Sequence, residues 1–294
     1  MNTEQLQKNN TPQPCLAKLR FKNAPLLDAV LLEKILRAVS HVLEGTLGAV
    51  QHRILPGKKD LYSAALLLLP ERLEATDAGP AGLLLRFGGF NPSHDDPDLS
   101  LSLEQTWQWD DAGAAAGAAP FCLSLSELNA LHLAPAARLA LFQKSLYALA
   151  AELGPAALHF PQSQCLIDPE AYLENRPGAP EYFRLHGLVN TRIFVPRTSG
   201  ATALLMDTLG LHCLGLPDFQ LRVTEETPDC AELACRLCNL ADYLCSGPGE
   251  LRDGVLVSAA EDAPGVAPWE LRRAQALMPP ARVVLELLPA GGRN

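Results

Sequence analysis

The chain has 294 residues, of which 48% are hydrophobic and 19% are charged, with 24 Lys and Arg against 33 Asp and Glu. This apolar fraction, together with the lack of a heptad or triplet period, excludes a disordered, coiled-coil or collagen-like chain. The formal net charge of −9 disfavours binding to nucleic acid or to an anionic membrane surface, because clustered Lys and Arg hold such partners.

The N-terminal residues 1–20 predict a disordered tail. The first fourteen residues are polar and rich in Asn and Gln, without the apolar stretch behind a basic start that marks a secretory signal. Apolar runs such as residues 64–69 are much shorter than the roughly 20 residues that cross a bilayer. Eight cysteines without a signal peptide indicate reduced thiols. We therefore expect a cytoplasmic protein without a membrane span.

Residues 23–45 predict the first helix, which ends at Gly45. At about 100° per residue, Leu32, Leu36 and Leu43 form a second apolar stripe almost opposite the first one. Such a helix is either buried on two sides or keeps one stripe for a partner. These three leucines are therefore a candidate interface.

The next segments predict two paired strands, at residues 61–69 and 82–87, followed by a surface loop at 88–98. Residues 99–109 fit either a strand or an irregular connection. If they form a strand, Trp107 and Trp109 face the same way, as a core anchor or as a binding platform.

An Ala- and Gly-rich bridge over residues 110–120 is the best candidate for a domain boundary. It divides the chain into two similar-sized halves, an N-terminal half at 21–112 and a C-terminal half at 119–290. The two halves could also form one continuous domain.

Residues 135–154 predict the most regular helix, with Pro135 in its first turn and apolar residues at the 3, 4, 3, 4 spacing of one buried face. Further strands, such as 188–195 and 282–288, and a helix at 228–245 follow it. These elements interleave without the strict strand-helix-strand order of a doubly wound sheet. The predicted class is therefore α+β, with mixed, largely antiparallel sheets and helices packed on them.

One segment carries a resemblance to a known family. It reads Asp207-Thr208-Leu209-Gly210, followed by Leu214-Gly215-Leu216-Pro217-Asp218. This signature segment resembles that of the bacterial domain-of-unknown-function family 4261, and the order of elements over residues 60–290 is similar as well. Membership implies a bacterial, cytoplasmic-type domain of α+β build and implies no established activity.

The signature segment has a structural and a chemical interpretation. Gly210 and Gly215 permit backbone conformations that are closed to other residues, which favours a fixed corner whose Asp218 accepts a hydrogen bond from the backbone. Alternatively, the corner presents a hydroxyl, a titratable base and two carboxylates to a cleft. Those side chains are Asp207, Thr208, His212 and Asp218. A hydrolase built on them is the alternative function.

The four cysteines of the helix at 228–245 include one C-x-x-C pair, Cys235 and Cys238. A structural zinc site needs a second pair of ligands, which is missing, and a redox pair normally sits at a helix N-terminus. Helical periodicity also points Cys235 away from the other three thiols. Neither of the common glycine-rich phosphate loops occurs. We therefore expect core cysteines, with no metal and no cofactor.

The sequence thus favours a non-catalytic protein-interaction module over an enzyme, and no catalytic residue is assigned. Its acidic charge and two-stripe helix are typical of a protein that holds a protein partner, as a homodimer or with another chain. A toxin-neutralising immunity protein or a secretion-associated adaptor fits, because an acidic surface suits a basic partner. The candidate interface residues are Leu32, Leu36, Leu43, Trp107 and Trp109.

Overall fold

The computed structural model describes residues 12–23, 29–47, 50–55, 63–68, 82–87, 97–195, 204–223, 229–246, 253–257 and 268–289. Within these ranges the protein contains helices and two largely antiparallel sheets, which confirms the α+β class. The chain forms two compact units. The first comprises residues 14–188, and the second comprises residues 189–294 together with 1–13. The predicted boundary at 110–120 is therefore wrong, and the two units are unequal in length.

The first unit is built on a seven-stranded sheet with the order β2-β3-β4-β5-β1-β6-β7, in which every neighbouring pair is antiparallel. Its strands are β1 (Leu16–Phe21), β2 (Val50–Leu55), β3 (Ser63–Leu68), β4 (Gly82–Phe87), β5 (Phe121–Leu128), β6 (Ala157–Phe160) and β7 (Cys165–Ile167).

Strand β1 corrects the prediction of a disordered tail over residues 1–20. It lies inside the sheet between β5 and β6, and Ala17 and Leu19 are fully buried. Just before it, the backbone N–H of Cys15 donates to Glu127 Oε2 at 2.7 Å, and the same carboxylate is paired with the buried Arg138. Alternating apolar residues therefore start the core at residue 15, while residues 1–11 lie outside the described residues.

The described residues of the first unit form five helices, namely α1 (Ala29–Leu47), α2 (Pro97–Gln105), α3 (Ala112–Gly117), α4 (Pro135–Leu153) and α5 (Pro169–Glu174). Helix α1 packs against α4 and against the sheet at β2. Leu36 and Leu43 are fully buried, so they belong to the core and do not form an exposed interface. The structure does not describe the side chain of Leu32. Of the first stripe, Leu31, Ala38 and Val42 are half-buried.

The segment around the tryptophans is helical at its start, contrary to both predicted alternatives. Pro97 begins α2, and the hydroxyls of Ser102 and Thr106 each donate to the backbone carbonyl four residues earlier. Helix α3 then occupies the predicted domain boundary. It buries Ala112 and Ala116 in a cluster with β6 and β7, which makes the Ala-rich bridge part of the first unit.

The second unit holds a six-stranded sheet with the order β11-β12-β13-β10-β9-β8, in which only the pair β10 and β13 is parallel. Its strands are β8 (Asn190–Phe194), β9 (Leu204–Leu209), β10 (Asp218–Val223), β11 (Leu256–Val257), β12 (Trp269–Gln275) and β13 (Val283–Pro289). Helix α6 (Cys230–Ser246) contacts β8, β9 and β10. Among the helices in the described ranges, none has the length and apolar character to cross a membrane.

Candidate functional site

The signature segment forms a tight corner between β9 and β10. A 3-10 turn at Leu211–Leu214 joins the two strands, with Gly210 before it at a φ of 137° and Gly215 after it at a φ of 78°. The backbone N–H of Leu211 donates to Asp218 Oδ1 at 3.0 Å. The fixed corner and the backbone hydrogen bond to Asp218 are therefore confirmed, because both glycines adopt φ values that favour glycine.

Asp207 lies at the centre of a buried ion network below this corner. Arg192 on β8 donates to both carboxylate oxygens of Asp207, through Nε at 2.8 Å and Nη2 at 2.6 Å. Arg282, just before β13, donates from Nη2 to Asp207 Oδ2 at 2.7 Å. All three side chains are at most 2% exposed. The carboxylate therefore has two guanidinium partners inside the second unit.

Asp218 connects the corner to the same network. Arg282 Nε donates to Asp218 Oδ2 at 2.9 Å, and the hydroxyl of Thr208 donates to Asp218 Oδ1 at 3.2 Å. The Nδ1 atom of His212 lies 3.2 Å from Asp218 Oδ2. The structure thus brings all four predicted polar residues together, and Asp207, Thr208 and Asp218 are fully buried.

The charges of this network balance. Two aspartates face two arginines, and further guanidinium N–H groups donate to the backbone carbonyls of Thr208, Met278, Pro279 and Pro280. Buried charges are stable only when they are paired and hydrogen-bonded in this way, since their desolvation costs several kcal/mol per ion. The network therefore holds β8, β9, β10 and the start of β13 in one arrangement.

The network leaves little freedom for chemistry. The Thr208 hydroxyl donates to Asp218 and accepts from the backbone N–H of Phe219 at 2.8 Å, so it is not hydrogen-bonded to the imidazole. His212 is the most exposed of the four predicted residues, with 12% of its side chain exposed. Its Nε2 atom lies 3.5 Å from Cys213 Sγ. The imidazole of His212 therefore lies between the Asp218 carboxylate and the Cys213 thiol, and the thiol is buried.

Sequence reasoning missed Arg192 and Arg282, which supply the two guanidinium groups of the network. A signal was present in both cases. Arg192 precedes the apolar end of β8, and Asp207 interrupts an apolar run in β9, so each implies a buried partner of opposite charge. The register then places Arg192 directly opposite Asp207 on β9. Only the parallel pairing of β10 with β13 brings Arg282 to them.

The two tryptophans of the predicted platform have different environments. Trp109 packs with Leu99 and Leu103 of α2 against the buried alanine cluster of α3, so it is a core anchor. Trp107 is 38% exposed. Both follow a helix and do not lie on a strand, so the expectation that they face one way does not apply.

The cysteines of α6 do not form a ligand set. Cys235 is exposed and Cys245 is buried, while Cys238 is half-buried with its Sγ atom 3.5 Å from the hydroxyl of Thr191. Burial raises the pKa of the Cys238 thiol, although the hydrogen bond with Thr191 lowers it. Across the described residues, no group of three or more His, Cys, Asp or Glu side chains is arranged to hold a metal ion.

Two further features of the first unit carry no catalytic set. The hydroxyl of Ser102 donates to the carbonyl of Asp98 at 2.7 Å, so the imidazole of His159, 2.9 Å away, donates to that hydroxyl and does not activate it. A cavity of about 390 Å³ is lined by alanines and prolines with Lys22, Asp168 and Glu170. Its Asp168 carboxylate already caps α5 through the backbone N–H of Glu170.

Comparisons with protein-family models, with curated proteins and with solved structures found no match for this chain. The resemblance of the signature segment to family 4261 therefore stays a prediction.

Proposed function

We propose that the chain is a non-catalytic protein-interaction module of the bacterial cytoplasm, a member of the domain-of-unknown-function family 4261 that acts as an immunity protein or a secretion-associated adaptor. One observation carries the proposal. The polar side chains of the signature corner, which are the strongest candidates for chemistry, satisfy one another in a buried, charge-balanced network.

That network is better suited to positioning than to catalysis. A general base or a nucleophile must reach a substrate, whereas Asp207, Thr208 and Asp218 have no exposed surface. Each carboxylate is also held by an arginine, so moving a proton onto it would break an ion pair. A rigid corner whose hydroxyl and carboxylates are all buried suits a scaffold that presents surfaces to a partner.

The charge of the chain indicates the class of partner. A net charge of −9 favours a basic protein and opposes nucleic acid and anionic lipid. A second copy of the chain carries the same charge, so a homodimer is the less favoured arrangement. Electrostatic complementarity of this kind increases the rate of association and selects against wrong partners.

Chemical crosslinking in the native cells, followed by purification of the chain and native mass spectrometry, tests the proposal. We expect a complex with a different protein at fixed stoichiometry. A complex of twice the mass of the chain would identify a homodimer instead. Recovery of the uncomplexed chain alone under all growth conditions would contradict an interaction function.

A second candidate function is hydrolysis at the signature corner, and one observation favours it. The His212 imidazole lies within hydrogen-bonding distance of the Asp218 carboxylate on one side and of the Cys213 thiol on the other. A carboxylate, an imidazole and a thiol in this order resemble the catalytic triad of a cysteine hydrolase. Of the hydrolase residues Asp207, Thr208, His212 and Asp218, only His212 reaches the surface. Turnover of chromogenic esters by the purified chain, abolished by Cys213→Ala and retained by Cys122→Ala, would support an enzyme.

A further inference from the structure

The outer side of helix α2 and the segment that follows it combine exposed apolar and acidic side chains. Leu101 is 47% exposed and Trp107 is 38% exposed. Exposed carboxylates accompany them along the segment, and residues 97–111 contain no Lys or Arg. We call this surface the α2 face, which consists of Asp98, Leu101, Glu104, Trp107, Asp110 and Asp111.

Helix geometry places three of these side chains on one side of α2, namely Asp98, Leu101 and Glu104, while the other three follow the helix, which ends at Gln105. Asp98 and Glu104 each lie three residues from Leu101, so their carboxylates stand one turn away on either side of it. The opposite side of α2 packs inward through Leu99 and Leu103 against the buried alanine cluster. Leu101 is therefore left out of the core by the same packing that anchors the helix.

Among the described residues, few positively charged side chains of the protein pair with the carboxylates of the α2 face. Lys18 lies 3.9 Å from Asp98, which is 57% exposed. Within the described ranges, the structure shows no ion pair for Glu104, Asp110 or Asp111. An exposed Trp and Leu beside several carboxylates without an ion pair are typical of a binding surface. In such a surface the apolar side chains supply affinity, and the charged rim increases the rate of association and the specificity.

We propose that the α2 face binds a basic segment of a partner protein. An apolar side chain of that segment packs on Leu101, and its Lys or Arg side chains meet the carboxylates and the face of the Trp107 ring. This inference rests on the proposed interaction function and names the surface and the chemistry of its partner.

The negative charge of the α2 face disfavours most other binding partners. A second copy of this chain would bring acidic residues of one α2 face against those of the other around a two-fold axis, which is repulsive. Nucleic acid and anionic lipid carry the same sign as the surface. A cation alone would leave the apolar side chains uncovered, and these acids do not converge as metal ligands in the described part of the chain.

Site-specific photocrosslinking in the native cells tests the inference. The photoreactive residue p-benzoylphenylalanine replaces Leu101 in one variant and Tyr243 or Leu277 in matched controls, which are also exposed apolar positions but belong to the second unit. We expect a crosslink to another protein from position 101, at a peptide rich in Lys and Arg.

The outcomes separate this inference from the proposed function. Crosslinks from position 243 or 277 alone would overturn the α2 face and leave an interaction function intact. Crosslinks from position 101 to a second copy of the chain, or to an acidic peptide, would overturn the basic partner. No crosslink from any of these positions, together with no complex in the native cells, would contradict both.

A defined peptide provides the second measurement. An amphipathic peptide of Lys and Leu is titrated into the full chain beside a matched peptide of Glu and Leu. We expect at least tenfold tighter binding of the Lys peptide, weakened about thirtyfold by Trp107→Ala and unchanged by Leu277→Ala. Equal binding of the two peptides, or binding of neither, would overturn the inference.

Discussion

Replacing Arg282 with Met is expected to destabilise the second unit strongly. Arg282 donates hydrogen bonds to the carboxylates of Asp207 and Asp218 and to the backbone carbonyl of Thr208. Methionine retains much of the side-chain volume and removes the charge. The variant therefore leaves the buried Asp207 with Arg192 alone and the buried Asp218 without a guanidinium partner.

The magnitude follows from burial. Removing one partner of a buried ion network costs about 3–5 kcal/mol, because the remaining charge is desolvated without compensation. A surface pair contributes about 0.2–1 kcal/mol. Arg222, which is 58% exposed and pairs with Glu286 at 3.1 Å, is the matched control on the neighbouring strand. We expect Arg222→Met to lower the free energy of unfolding by less than about 1 kcal/mol.

Urea unfolding followed by fluorescence measures the difference. The chain has three tryptophans, of which Trp107 and Trp109 lie in the first unit and Trp269 in the second. Replacing the first two with Phe makes emission report the second unit alone. With a denaturant dependence of about 2 kcal/mol per M, a loss of about 4 kcal/mol lowers the midpoint by about 2 M.

The result that would refute this reasoning is a midpoint for Arg282→Met close to that of Arg222→Met. Such a result would mean that the carboxylates are solvated or protonated without cost and that the network does not hold the strands together. Arg282→Lys separates charge from geometry. It keeps the charge and lacks the planar fork that reaches both aspartates, so it should fall between the wild type and Arg282→Met.

The remaining predictions concern burial and backbone geometry. Burial lowers the pKa of His186 to about 4, so between about pH 6.5 and pH 4 the unfolded state binds a proton that the folded state does not. Stability should fall by up to about 3 kcal/mol as the pH decreases through this range, and urea titrations of His186→Phe should show a smaller loss. An alanine at Gly187, where φ is 78°, would overlap an aromatic ring, so Gly187→Ala should lower the melting temperature much more than Gly154→Ala, whose added Cβ meets no atom. Iodoacetamide should alkylate the exposed Cys235 rapidly and Cys238 only slowly, and mass spectrometry showing equal rates would contradict the burial of the second thiol.

The local sequence pattern was sufficient to predict the most regular helix and the signature corner. The helix predicted at 135–154 is α4, which begins at Pro135 and is closed by Gly154 in a left-handed conformation. The corner at Gly210 and Gly215 was also predictable, because glycine readily adopts the positive φ angles that both positions have. The alternation in residues 99–109 misled, since the inward packing of Leu99 and Leu103 decides for a helix there.

Composition and periodicity by themselves determined the acidic character, the α+β class and the helices and turns with strong local signals. Tertiary structure alone decided which apolar stripe was covered and which polar residues met. Leu36 and Leu43 became core residues because α1 packs against α4 and the sheet. Arg282, the shared partner of Asp207 and Asp218, lies 75 and 64 residues from them in the chain. Local signals act over a few residues, whereas burial and charge pairing depend on contacts between residues as far apart as Asp207 and Arg282, which exist only once the sheet has formed.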